Sequence, residues 1–261
     1  MKGGLPFGYT SASVAEIREN IDTEAAVVCL KDTAVDHPRV LIEAFIECIP
    51  DLLSWLETNG RDYPWRQTTD PWKVYSAEIL LQRTRGDAVA DIYDDFQDHF
   101  PTPRDLYEAS EEEIREMVHS LGFVNHRTRT LKEIGELFVE EHAGKVPDSL
   151  DELTRPWRAG TYSARACQLF ARGEPLALVD ANYSRVIGRV LGYQMPDQPH
   201  KSDDVYELME ALVPKEPGLA RAFNFAILDL GALICTPQNP RCETCPLQNA
   251  CVYAGKQQLT D

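Results

Sequence analysis

Apolar residues recur at intervals of three and four along almost the whole chain, while alternating runs rich in Val, Ile and Thr are nearly absent. That pattern predicts an all-α protein. Leu41, Phe45, Cys48, Leu52 and Leu56 form the first helical stripe, in which Pro50 either kinks one helix or opens a second at its first turn. Further helices are expected near residues 73–82, 86–98, 111–120, 127–142, 161–172, 181–191, 203–213 and 218–233. Two of their starts are marked. Ser110 and Glu113 make a capping box, and Ser202 precedes Asp203 and Asp204, whose charges suit the positive end of a helix dipole. Tyr63, which precedes Pro64, is expected to be extended. Residues 1–37 read as polar and loosely specified, and no internal repeat appears.

With 261 residues, 43% of them hydrophobic, the chain is long enough for two lobes with separate cores. No apolar run reaches the ~18 residues of a membrane span. The longest, from Phe223 to Cys235, is broken by Asn224 and Asp229. The N-terminus lacks a charged-then-apolar export signal, so a cytoplasmic protein is expected. A net charge of -16 opposes the basic footprint of a nucleic-acid binder. Either the protein avoids DNA, or its acidic groups solvate the surface in a salty cytoplasm where repulsion is strongly screened. The even spread of Asp and Glu and the scarcity of lysine favour the second. Between Leu153 and Gly192 the balance reverses: Arg155, Arg158, Arg165, Arg172, Arg185 and Arg189 stand against only Glu174 and Asp180. A phosphate backbone would settle there, unless these arginines merely solvate two helix faces.

Seven cysteines is an odd number, and four of them crowd one stretch, which argues against a disulfide framework. The spacing is Cys235, six residues, Cys242, two residues, Cys245, five residues, Cys251, with Pro237, Pro240 and Pro246 stiffening the loops. Four thiolates on one loop suit a single centre, either a [4Fe-4S] cluster or tetrahedral zinc. Zinc sites more often show two close Cys-x2-Cys pairs; the single close pair here favours the cluster. Cys29, Cys48 and Cys167 sit singly among apolar residues and read as packed thiols.

This cysteine loop, following the apolar segment Phe223 to Gly231, resembles that of the endonuclease III and adenine-glycosylase type of helix-hairpin-helix DNA glycosylases. Tyr63-Pro64-Trp65-Arg66 and the segment Tyr75 to Thr84 are similar to the opening of the adenine-glycosylase and archaeal thymine-mismatch branches. Leu178 to Ile187 looks closest to the thymine-mismatch branch. The resemblance spans residues 49–254. It implies two helical lobes: a six-helix barrel with the hairpin over residues 61–175, and a cluster lobe of residues 49–60 plus 176–255. Residues 1–48 are left as an extension of unknown role. It further implies a monomer acting on double-stranded DNA that carries a mismatched or damaged base.

The chemistry gives the matched residues roles. Breaking an N-glycosidic bond builds positive charge on the sugar, which a nearby carboxylate stabilises. Asp180 is the candidate, although an Asp before a helix is also an ordinary N-cap. By resemblance Asn182 assists it. Glu78, on an otherwise apolar helix, matches the family's acid for the departing base, or is a partnered core residue. Lyase-active relatives carry a lysine eighteen positions before the aspartate; this chain has Tyr162, and a phenol cannot form a Schiff base. The resemblance also makes Gln82 and Phe123 residues that fill the gap left by an extruded base. Where the family hairpin reads Leu-Pro-Gly-Val-Gly, this chain has Pro156-Trp157-Arg158-Ala159-Gly160, so only the second glycine survives. Arg158, Gly160 and Arg185 are expected on the DNA, with Arg158 either replacing a backbone contact or marking a degenerate hairpin. The reading favours a monofunctional glycosylase for thymine or uracil opposite guanine. The alternatives are an adenine glycosylase and a non-catalytic DNA-binding iron-sulfur protein.

Overall fold

A computed structural model of the chain describes residues 12–258, and among these residues it contains helices and no strand. The helices are α1 (Val14–Asn20), α2 (Thr23–Leu30), α3 (Pro38–Asn59), α4 (Pro71–Leu80), α5 (Gly86–His99), α6 (Pro103–Glu108) and α7 (Glu111–Val118). They continue with α8 (Val124–His142), α9 (Leu150–Thr154), α10 (Thr161–Arg172), α11 (Ala181–Leu191), α12 (Asp203–Leu212), α13 (Pro217–Leu233) and α14 (Val252–Gln258). No helix among the described residues is long and apolar enough to cross a membrane.

The chain forms two compact units, one of residues 62–172 and the other of the segments on either side of it. The split unit is built on α13, which is buried along nearly its whole length. An all-round apolar helix is stable only when neighbours cover every face. Here α3, α11 and the segment around Leu176 and Leu178 pack on it, with Phe223 meeting Phe45 and Tyr183 edge to face at 6.1 and 6.5 Å. Asp229 is one of three polar residues buried on α13, with Arg221 and Asn224. It is fully buried and accepts from the Arg61 backbone amide at 2.7 Å and from its guanidinium at 2.7 Å, tying the end of α3 to α13. Helix α3 runs unbroken through Pro50, which resolves the choice between a kinked helix and two helices in favour of one.

Residues 12–37 are more ordered than their polarity suggests. Ser13 and Glu16 form a capping box for α1, Asp22 caps α2, and α2 packs on α12. These helices are too short for periodicity to reveal them, and the same holds for α6, α9 and α14.

In the continuous unit, α4 to α10 surround a core that includes the fully buried Tyr75, Phe96, Phe100 and Phe138. Its aromatic polar ends are satisfied: the Trp72 indole donates to the Phe100 carbonyl at 2.8 Å, and the Tyr75 hydroxyl to the Leu153 carbonyl at 2.6 Å. Burying such rings contributes roughly 1.5–3 kcal/mol each.

Candidate active site

Asp180 is delivered by an extended segment that runs beside α13. Asn224 of α13, wholly buried, acts on this segment as a neighbouring strand would. Its Oδ1 accepts from the Leu178 amide at 3.2 Å, and its Nδ2 donates to the Leu176 carbonyl at 3.2 Å. The chain then enters α11 through Asp180, whose Oδ1 accepts from the Tyr183 amide at 2.6 Å, the N-cap bond that the sequence allowed. Its other oxygen accepts from Asn182 Nδ2 at 3.3 Å.

Asn182 is itself oriented. The Arg185 guanidinium donates to Asn182 Oδ1 at 2.7 Å and also to the carbonyls of Gly231 (2.7 Å), Cys235 (2.7 Å) and Ala181 (3.1 Å). With its oxygen held by a cation, the Asn182 amide can offer Asp180 only its NH2 group. Gly231 makes the arrangement possible, since a Cβ there would lie 2.7 Å from Asn182 Cβ. Burial pushes the Asp180 carboxyl above its ordinary range, and the amides of Tyr183 and Asn182 pull it back down. Arg185, placed on the DNA by the sequence reading, turns inward here, because the carbonyls at the end of α13 lie within its reach.

The continuous unit carries the other predicted residues. Glu78 is buried within α4, and Tyr162 sits half-buried in the first turn of α10. Gln82, Phe123 and Arg158 meet at a hollow of about 60 Å³, together with Arg83, His126, Arg127 and Thr130. Gln82 Nε2 donates to the Arg158 carbonyl at 3.1 Å, and the Arg83 guanidinium lies 4.8 Å from the ring of Phe123, which is 52% exposed. Arg127 underpins the hollow. Buried, it donates to the carbonyls of Ile79 (2.9 Å), Leu80 (3.0 Å) and Gln82 (3.3 Å) and to the Thr84 hydroxyl (2.8 Å), closing the C-terminal end of α4. Burial brings its pKa down to about 10, so it remains charged at neutral pH.

The altered hairpin still turns. The Ala159 amide donates to the Pro156 carbonyl at 2.9 Å, and Arg158, third in the turn, has φ 62, the left-handed conformation usually left to glycine. Its guanidinium lies 5.1 Å from the ring of Trp157, whose backbone amide is held by Glu133 at 2.8 Å. Gly160 is exposed at the entry to α10, and a Cβ added there would meet no atom within 4 Å. Nothing inside the protein therefore requires a glycine at that position.

The four clustered cysteines fit a shared metal centre. Burial raises the thiols of Cys242, Cys245 and Cys251, that of Cys245 to about 12, and the neighbouring cysteines add to the rise. Thiols so placed favour a cation that neutralises them. Arg189 donates to Cys235 Sγ at 3.4 Å and to the carbonyls of Thr236 and Pro237, fixing the start of the loop on α11. By contrast, the gathering of Glu141, His142 and Glu152 is filled by Arg155, whose guanidinium bonds both carboxylates.

Sequence reasoning did not give Asn224, Arg127 or Gly231 a role. Asn224 had left a signal, a polar residue breaking an apolar run; the other two left none that a single sequence can show.

Comparison with known proteins agrees with this geometry. A family profile described as HhH-GPD superfamily base excision DNA repair protein matches residues 76–215, and one described as the iron-sulfur binding domain of endonuclease III matches residues 235–251. A thymine-DNA glycosylase of Aeropyrum pernix is 35% identical over 77% of this chain and 92% of its own length. A thymine/uracil-DNA glycosylase of Pyrobaculum aerophilum is 37% identical over 79% of this chain and 91% of its own. Among solved structures, that of a thermostable thymine-DNA glycosylase superposes with a TM-score of 0.77 at 33% identity, covering 85% of this chain and all of the other.

Proposed function

The chain belongs to the HhH-GPD superfamily of base excision DNA repair proteins, and from that membership we propose that it is a monofunctional DNA glycosylase removing thymine or uracil mispaired with guanine. The observation that carries the reading is Asp180, a carboxylate fixed through both oxygens by the Tyr183 amide and by an Asn182 that Arg185 orients. In this reading the bond from C1′ to the base breaks, Asp180 stabilises the charge left on the sugar, and a water oxygen adds to C1′ as the water's proton passes to the Asp180 carboxylate. A proton delivered by Glu78 leaves with the base. Tyr162, where lyase-active relatives carry lysine, offers no amine, so the product is an intact strand with an abasic site. The names of the relatives support thymine and uracil as the bases.

The substrate is double-stranded DNA, met by a monomer. Gln82 and Phe123 fill the space of the extruded nucleotide. Gly160, bare at the start of α10, lets a phosphate approach the backbone amides there, and Arg158 adds a guanidinium beside it. Cys235, Cys242, Cys245 and Cys251 hold a [4Fe-4S] cluster that shapes the loop after α13; the spacing and the matching iron-sulfur profile favour it over zinc.

Duplexes carrying T:G, U:G, A:G or an oxidised pyrimidine, incubated with enzyme and then with alkali, test the reading. Strand breaks at T:G and U:G that need the alkali are expected, and Asp180→Asn should lose about 10³-fold or more in rate while keeping its N-cap bond. Breaks without alkali, a borohydride-trapped covalent adduct, or cleavage only at A:G would each overturn it.

A further inference from the structure

Helices α11 and α14 leave a hollow of about 310 Å³ whose lining includes Ser184, Arg189, Tyr193, Met195, Tyr253 and Lys256. Three features set it apart from an accidental gap. The first is charge: Arg189 and Lys256 line it and no acidic residue does, in a chain of net charge -16, while Arg185, also in the lining, is spent on Asn182 and the carbonyls of Gly231, Cys235 and Ala181. The second is an orphan. The Ser184 hydroxyl is buried (3% exposed) and has no hydrogen-bond partner, although a buried hydroxyl normally finds one. The third is a preformed wall. Arg189 is clamped by the Thr236 and Pro237 carbonyls and lies 4.6 Å from the Tyr253 ring. Opposite, Tyr193 and Met195 close over bare backbone at Gly188, where a Cβ would meet the Tyr193 carbonyl at 3.1 Å.

We propose that this hollow is a second ligand site for a single nucleotide unit, an aromatic base carrying a phosphate. The tyrosines, Met195 and Val252 offer the apolar, stacking surface that a base requires, the Ser184 hydroxyl supplies a directional bond inside, and the cations at the rim balance a phosphate. The volume lies at the lower end of small-ligand sites, which suits one nucleotide and excludes a helix or a duplex. The unit comes either free in solution or from the frayed end of a DNA strand. The inference does not depend on which base the enzyme excises.

Isothermal titration of the full-length protein with thymidine 5′-monophosphate tests it. One saturable site is expected, weakened about fivefold to tenfold in Ser184→Ala by loss of one buried hydrogen bond. Lys256→Glu, a surface change that leaves the core alone, should weaken it at least as much. Asp180→Asn should bind the nucleotide unchanged, which separates this site from the one that receives the extruded base. A 5′-phosphorylated single-stranded overhang that competes with the nucleotide identifies the strand end as the source; failure to compete identifies the free nucleotide. No binding at millimolar nucleotide, equal competition by inorganic phosphate, or affinity indifferent to both Ser184→Ala and Lys256→Glu in proteins with unchanged circular dichroism would overturn the proposal.

Discussion

The Asp180 site and the hollow around Phe123 treat their polar groups in opposite ways. Around Asp180 the backbone is relaxed, with φ -109 at the aspartate, and the side chains satisfy one another in sequence from Arg185 through Asn182 to the carboxylate. Around Phe123 three non-glycine residues, Arg83 (φ 56), Phe123 (φ 48) and Arg158 (φ 62), hold left-handed backbone, and Phe123 stands in solvent. Each such residue costs on the order of 1 kcal/mol. A group that must hold one charge at one place gains from being fixed. Residues proposed to exchange contacts when a nucleotide leaves the duplex gain from being poised, with strain held by a firm support beneath them.

Arg127 is that support, and removing it should produce the largest effect. Arg127→Met leaves three carbonyls and a hydroxyl at the end of α4 without their buried donor. A loss of about 3–4 kcal/mol is expected, read as a lowered Tm. Lysine should recover little, since one ammonium cannot span the fork. An unchanged Tm would mean that the strained residues support themselves.

On the other side of the contrast, Arg185→Ala should slow base removal about 30-fold to 100-fold, equivalent to about 2–3 kcal/mol. Duplex affinity should change by less than about twofold, because the guanidinium points inward. Single-turnover rates and a binding titration separate the two. If affinity falls while the rate holds, Arg185 acts on DNA after all, and the fixed site loses its organiser.

Arg158→Gly tests the strained side more gently. Relief of the left-handed arginine should stabilise the protein by about 1 kcal/mol. Loss of one guanidinium contact should at the same time weaken duplex binding and flatten its salt dependence by about one unit of slope. Greater stability with undiminished affinity would leave the hairpin working through its backbone alone.

How much of this was legible in the sequence follows from the reach of each signal. Asp180 announced both of its capacities, as a cap and as a carboxylate, because both are local. The cysteine spacing was local too. Asn224 and Asp229 were visible only as polar breaks in an apolar run; that they bond the Leu178 amide and Arg61 depends on partners 46 and 168 residues away. The internal partners of Arg185 were hidden for the same reason. A basic residue in an arginine-rich stretch suggests phosphate, whereas the carbonyls of Gly231 and Cys235 that capture it come from a distant helix end. The left-handed arginine at 158 ran against glycine statistics, and only the turn it completes reveals that the hairpin persists.

The smallest effect concerns the acid limb of activity. Burial holds the Asp180 pKa above its ordinary 3.8, and the proposed reaction uses the ionised form, so the rate should fall as pH drops through that raised value. Because the folded-state pKa exceeds the unfolded one, ionising Asp180 costs stability across the window from 3.8 up to the raised value. The Asn182 side chain opposes this by donating to the carboxylate. Asn182→Ala removes that donor and leaves the cap bond from the Tyr183 amide, so its acid limb should lie slightly higher than that of the unaltered protein. Single-turnover rates measured across the acid range give the limb directly. A limb that moves down, or that stays while the plateau rate collapses, would assign Asn182 to the substrate and not to the charge of Asp180.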